Sequence, residues 1–249
     1  MIDSVLFDMG GTLEDVEYNH EIRLRGAQLV LDRLRQSGIK LATDDEAFLR
    51  ALEKGNAEYK AWSAKNMLEI PAAKVWAEWN LRDFSLPEDI VAGIGEDLAS
   101  LWETEFYIRK LRPGVPEMLE KLARGGYKLG IISNTVSRRQ VFVSLKEYGI
   151  DKYFGCICLS SIEGIRKPKP EIFIRAVKLL GSAPQRAAYV GDTVSRDVVG
   201  AKNAGYALAI QIHSFLTSMA DTEVDKSCRP DYLIEDIADI PDILDKLNG

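Results

Sequence analysis

The chain has 249 residues, 38 acidic against 32 basic, for a formal net charge of −6, with 46% hydrophobic and 28% charged residues. That composition excludes a disordered chain, and an acidic balance spread along the sequence excludes the basic stripe that neutralises nucleic-acid phosphates. No apolar run approaches the ~20 residues that span a bilayer, and the amino terminus lacks the charged start and apolar run of a signal peptide, so a cytoplasmic protein with no membrane or nucleic-acid partner is expected.

The chain opens with a short apolar run, Ser4–Asp8, of the kind buried on both faces of a sheet. From about Val16 to Lys110 the texture changes to long amphipathic stretches, which predicts an all-helical insert. Within it Thr43 with Glu46 and Ser85 with Glu88 have capping-box spacing, and Pro87 suits the first turn of the helix that follows. Trp62, Trp76, Trp79 and Trp102 all fall in this segment and are expected to build its own small core. Further strands are predicted at Lys128–Ser133, Gly155–Ser160, Ala187–Gly191 and Leu208–His213. Helical segments precede and separate them: "VPEMLEKLARGG", "RRQVFVSLKEYG" and "KPEIFIRAVKLLG" each end in glycine. This alternation implies right-handed βαβ crossovers and an α/β fold with a parallel sheet covered on both faces. Residues 1–15 and 111–249 would form the core domain, and 16–110 the helical cap. Cys156 and Cys158 alternate along one strand and read as small buried side chains; no further Cys or His lies nearby to complete a metal site. With Cys228 they make an odd number, which argues against a disulfide framework.

In open parallel sheets ligands bind beyond the carboxyl ends of the strands. Here the first strand ends in Asp8 within "FDMGGTL", the second in "SNT" (Ser133, Asn134, Thr135) and the fourth in "GDTVSRD", which holds Asp192 and Asp197, while one intervening loop carries "RKPKPE" with Lys167. Taken singly these residues cap helices and turn chains. Together they bring an acid, a hydroxyl, a lysine and an acid pair to one crevice. A carboxylate such as Asp8 can attack phosphorus without a base to activate it, Asp8 and Asp192 can offer oxygens to Mg²⁺, and Ser133 can donate its hydroxyl to a phosphate oxygen.

In order and in content, "FDMGGTL", "IISNT", "RKPKPEIF" and "VGDTVSRDVVGAKNAG" resemble the four motifs of the haloacid dehalogenase-like (HAD) hydrolases, most closely the helical-cap branch that includes phosphoglycolate phosphatase and β-phosphoglucomutase. The resemblance implies a Rossmann-like core, Mg²⁺, and hydrolysis of a small phosphorylated metabolite through an aspartyl-phosphate intermediate. It implies Asp8 as nucleophile, with Ser133 and Lys167 as catalytic partners. Thr12, Ser133, Asn134, Lys167 and His20 would bind the substrate, and Asp8, the Gly10 carbonyl, Asp192 and Asp197 would form the metal site. Asp197 would orient a metal-bound water or Lys167. The family's K-P-x-P pattern selects Lys167 over Arg166 and Lys169, which read as solvated.

One position departs from the family. Active phosphatases of this kind usually carry a second Asp two residues after the nucleophile, where it protonates the leaving group; this chain has Gly10. Glycine keeps the carbonyl and loses the proton transfer, a step typically worth about 10² to 10⁴ in rate. Acyl and aryl phosphates, whose leaving groups are stable anions, would suffer least. Two relatives also lack this acid. Dehalogenases dispense with metal, and the Asp192 and Asp197 pair argues against them. Phosphonoacetaldehyde hydrolase uses a cap lysine, which Lys54, Lys60, Lys65 and Lys74 leave unassigned. His20 has the spacing of a histidine in the β-phosphoglucomutase branch and is a surrogate proton donor, with Glu14 and Asp15 as further candidates or hinge residues. A rival reading is a catalytically impaired member that binds a phosphorylated ligand or a protein partner.

Overall fold

The computed structural model describes residues 1–215, 217 and 228–249. Its centre is a six-stranded sheet of β1 (Ser4–Phe7), β4 (Lys128–Ser133), β5 (Phe154–Leu159), β6 (Ala187–Gly191), β7 (Leu208–Ile212) and β8 (Tyr232–Ile234). The spatial order is β5-β4-β1-β6-β7-β8, and every neighbouring pair is parallel. Side-chain alternation makes β1 a two-sided strand: Val5 and Phe7 enter one apolar layer with Ile131 and Val190, and Leu6 enters the opposite layer with Ile132 and Phe173. Each large apolar side chain buried this way stabilises the fold by roughly 1.5–3 kcal/mol. Helices α5 (Val115–Arg124) and α6 (Gln140–Glu147) supply Met118, Leu119 and Leu145 to the first layer, and α8 (Pro170–Leu179) supplies Ile172 and Phe173 to the second. The expected Rossmann-like α/β architecture is therefore present. The chain runs from β1 out to β5, then returns to β6 on the other side of β1, so the strand order reverses at β1 and a crevice opens beyond its carboxyl end.

Between β1 and β4 the chain forms α1 (His20–Gln36), α2 (Asp45–Asn66), α3 (Ala72–Val75) and α4 (Glu88–Glu105). They bury a separate apolar cluster that includes Val30, Leu34, Phe48, Leu52, Leu98 and Trp102. Trp76 and Trp102 meet edge to face in this core, 6.3 Å apart, whereas Trp62 and Trp79 are half-buried and flank Tyr59.

Three local expectations are corrected. The cap of α2 is Asp44, which accepts from Ala47 N at 2.7 Å, while the Thr43 hydroxyl turns to the Asp44 carbonyl. Ser85 sits in the left-handed region (φ 48°), where it closes the short helical turn Arg82–Phe84 and does not cap α4, and Pro87 immediately precedes α4 without belonging to its first turn. The segment is also not wholly helical at its ends: β2 (Glu14–Glu17) pairs antiparallel with β3 (Ile108–Leu111), a ribbon that straddles positions 16 and 110. In "EDVE" one valine stands among three acids, so no apolar alternation exists to announce a strand. Instead, the Glu14 carboxylate is fully buried, 2.8 Å from Arg109 Nη1, and accepts from the Tyr148 hydroxyl at 3.0 Å; Arg109 also pairs with Glu103 at 2.7 Å. The last strand, β8, and the closing helix Ile240–Asn248 were not anticipated either. Among the described residues no helix is long and apolar enough to cross a membrane.

Candidate active site

Asp8 directly follows β1, and its N–H donates to the Val190 carbonyl at 2.9 Å, so the pairing of β1 with β6 fixes its backbone. Its Oδ1 accepts from Met9 N at 2.7 Å and stands 2.8 Å from Lys167 Nζ. The same ammonium lies 2.7 Å from Asp197 Oδ1. Carboxylate oxygens of Asp8, Asp192 and Asp197 all lie within 4.8 Å of one another, and all three residues are buried. Gly11 explains how the first loop approaches so closely: its φ is +84°, and a Cβ there would fall 2.3 Å from Asp192 Oδ2.

The hydrogen bonds divide the three acids by role. Asp197 is satisfied at both oxygens, Oδ1 by Lys167 and Tyr189, Oδ2 by Thr193 N at 3.0 Å and Thr193 Oγ1 at 2.5 Å. Asp192 Oδ2 accepts from Ser214 Oγ at 2.7 Å, but Asp192 Oδ1 is buried with no hydrogen-bond partner among the described residues. An orphaned carboxylate oxygen is costly unless something binds it. The residue that carries it stands beside two further acids, which is the donor chemistry of a hard divalent cation. Burial and the neighbouring Asp197 and Asp8 push the Asp192 carboxyl up to about 7, so near neutrality a proton and a cation compete for it. Burial likewise raises Asp8 above the usual carboxylate range. Burial opposes charge on Asp197 too, yet Lys167 and Arg196 hold that carboxyl below the usual range.

The remaining expected residues fare unequally. Ser133 ends β4 and is buried, and Thr12 is fully buried with its Oγ1 unpartnered among the described residues. Asn134 Oδ1 accepts from Lys167 N at 2.9 Å and its Nδ2 donates to the Lys167 carbonyl at 3.0 Å, clamping the backbone that carries the lysine. His20 is exposed at the start of α1, where its Nε2 lies 2.9 Å from Glu46 Oε1 on α2. A polar helix face gave that histidine a surface partner and left it outside the cluster around Asp8. Lys54, Lys60, Lys65 and Lys74 are exposed.

Arg166 is not solvated as expected. It is largely buried, lies 3.4 Å from Glu69 Oε2 and also donates to Ser63 Oγ. Glu69, from the stretch between α2 and α3, further accepts from Ser160 Oγ at 2.7 Å and from Tyr59. Glu69 N donates to the Gly164 carbonyl and Arg166 N to that of Met67, so this stretch lies along the loop that carries Lys167. A second seat joins α4 to the core, where Glu96 accepts from Ser137 Oγ at 2.6 Å and Arg138 N at 2.9 Å. Replacing Glu69 with Ala leaves Arg166, Ser160 and Tyr59 without their shared acceptor, and the expected loss of stability is about 3 kcal/mol. Urea unfolding measures it; a loss under about 1 kcal/mol would show that this carboxylate does not hold the seat.

A family model described as haloacid dehalogenase-like hydrolase matches residues 2–205. The chain belongs to the HAD-like hydrolases. It is 27% identical over 248 residues to a protein of Methanothermobacter thermautotrophicus named glyceraldehyde 3-phosphate phosphatase, covering 98% of this chain and all of that relative. It is 33% identical over 136 residues to the pyrophosphatase PpaX of Bacillus mycoides, covering 54% of this chain and 60% of that one. A HAD phosphatase structure from Thermococcus onnurineus superposes with a TM-score of 0.62 at 26% identity, covering 98% of each chain. Within this HAD-like frame Tyr189 and Ser214 touch the cluster from outside the motifs, Tyr189 at Lys167 and Asp197 and Ser214 at Asp192.

Proposed function

We propose that the chain is a Mg²⁺-dependent phosphatase acting on a small phosphorylated metabolite through an aspartyl-phosphate formed on Asp8. The observation that carries this reading is the convergence of Asp8, Lys167 and Asp192, with one Asp192 oxygen left without a partner among the described residues. The relatives named for phosphatase activities support the phosphoryl group as the common element of the substrate. In this reading Asp8, Asp192 and the Gly10 carbonyl hold Mg²⁺. The cation, when bound, offsets the charge of phosphate beside the carboxylates.

Asp8 attacks phosphorus as its bond to the leaving oxygen breaks; water then attacks the phosphorus of the acyl phosphate, releasing inorganic phosphate and regenerating the carboxylate. Ser133 and Thr12 donate hydroxyls to the phosphate oxygens. Lys167 steadies Asp8, while Asp197, whose oxygens are taken by Lys167, Tyr189 and Thr193, orients the lysine and leaves direct metal binding to the other ligands. Gly10 has no proton to give, which favours acyl or aryl phosphates and phosphoanhydrides over alkyl esters. The same glycine is the observation that favours the second reading, a member that binds a phosphorylated ligand or partner without turnover.

Phosphate release from acetyl phosphate and p-nitrophenyl phosphate, with Mg²⁺ and with EDTA, tests the proposal. Steady release that EDTA abolishes and Mg²⁺ restores is expected. If no phosphate appears while calorimetry still detects Mg²⁺ and phosphate binding, the non-catalytic reading takes its place.

A further inference from the structure

Lys167 is 2% exposed, so its ammonium must find all its hydrogen-bond acceptors within the protein. Each of its three N–H groups has one: Asp8 Oδ1 at 2.8 Å, Asp197 Oδ1 at 2.7 Å and the Tyr189 hydroxyl at 2.9 Å. The third acceptor is a phenol, contributed by a residue of β6 that lies outside the polar strand ends. Its oxygen also lies 3.2 Å from Asp197 Oδ1 and 3.2 Å from the Ile132 carbonyl, so it can accept from Lys167 while donating its own proton to either.

The ring beneath this oxygen is held rigidly. Tyr189 meets Phe173 edge to face at 4.9 Å and Tyr206 at 6.2 Å, and the Tyr206 hydroxyl donates to the Phe173 carbonyl at 2.8 Å. Phe173 belongs to α8, which begins at Pro170, just after Lys167. One aromatic cluster therefore seats both the acceptor beneath the ammonium and the helix that follows the lysine. Asn134 clamps the backbone of Lys167; Tyr189 governs where the other end of the side chain points.

We infer that Tyr189 is a positioning residue: by taking the third Lys167 proton from below, it aims the other two at Asp8 and Asp197 and so fixes the ammonium against the attacking carboxylate. The inference rests on the phosphatase reading above. Without the phenol oxygen the buried ammonium would turn toward another acceptor and lose its register with Asp8.

Tyr189→Phe removes that one oxygen and keeps the ring packing. With acetyl phosphate and Mg²⁺, kcat is expected to fall about tenfold, the scale of a hydrogen bond to a charged group. KM should stay within about twofold, as should Mg²⁺ affinity by calorimetry, because uniform substrate binding and the metal ligands are untouched. Unchanged kcat in the folded variant would overturn the inference. So would a kcat loss accompanied by collapse of Tm and a matching rise in KM, since Tyr189 would then be a packing residue alone. Absence of phosphate release by the wild-type protein is a separate outcome: it removes the phosphatase reading, and the inference falls with it.

Discussion

Asp8→Asn is expected to lower phosphate release from acetyl phosphate by about 10⁴-fold or more at saturating Mg²⁺, while the protein stays folded. An amide oxygen can still accept from Met9 N and from Lys167, so the hydrogen bonds around the first loop survive. What disappears is the carboxylate that forms the bond to phosphorus, and among the described residues no neighbouring carboxylate is placed to replace it: Asp197 is tied at both oxygens, and Asp192 gives one oxygen to Ser214 and, in this reading, the other to the cation. The stability effect has a definite sign. Burial raises the folded-state pKa of Asp8, so the folded protein holds that proton more tightly than the unfolded chain does, and the stability this contributes is lost as pH rises through the folded value. An asparagine carries no such charge, so in the absence of metal the variant should melt no lower than the wild type at pH 8. Retention of more than about a tenth of wild-type turnover would mean that Asp8 is a metal ligand only and that the nucleophile lies elsewhere.

The sheet could be read in advance because its strands are buried on both faces and therefore stand out as apolar runs: "SVLF" and "AAYVG" appear as β1 and β6. The meeting of Asp8, Lys167, Asp192 and Asp197 was legible from their joint placement at strand ends and in one loop, since each alone could as well cap a helix or turn the chain. Legibility failed where polar groups are held by other polar groups. Nothing in "EDVE" distinguishes Glu14, fully buried against Arg109, from its exposed neighbour Glu17; the partner lies 95 residues away in sequence. Arg166 looked like a surface residue beside Lys167 and is buried because Glu69 comes to it from between two distant helices. The motif that holds Asn134 did not announce that both ends of its amide reach the Lys167 backbone, 33 residues away. Tyr189 was visible only as one more bulky residue of a buried strand. Its hydroxyl acquires meaning from the three-acceptor geometry of the ammonium above it, which no spacing along the chain encodes.

Placing an acid at position 10 tests whether a proton donor there is what the site lacks. Gly10→Asp is expected to raise turnover of alkyl phosphates by about 10²-fold, the lower end of what general acid catalysis supplies, and to leave acetyl phosphate nearly unchanged because its leaving group needs no proton. The backbone admits the change: Gly10, unlike Gly11, does not have a positive φ, and a Cβ would meet Arg109 Nη1 at 3.3 Å and Val16 Cγ2 at 3.5 Å. Arg109 must give way by a few tenths of an ångström, against the pull of Glu14 at 2.8 Å and Glu103 at 2.7 Å. The new carboxylate would therefore stand beside a guanidinium, which favours its ionised form and works against proton donation. That competition sets the gain at the lower end of the range. The decisive comparison is the ratio of alkyl to acyl phosphate turnover in the two proteins, measured with Mg²⁺ binding and melting as controls. An unchanged ratio in a folded, Mg²⁺-binding variant would show that the missing side chain is not what limits alkyl ester hydrolysis, and that proton delivery in this active site does not depend on position 10.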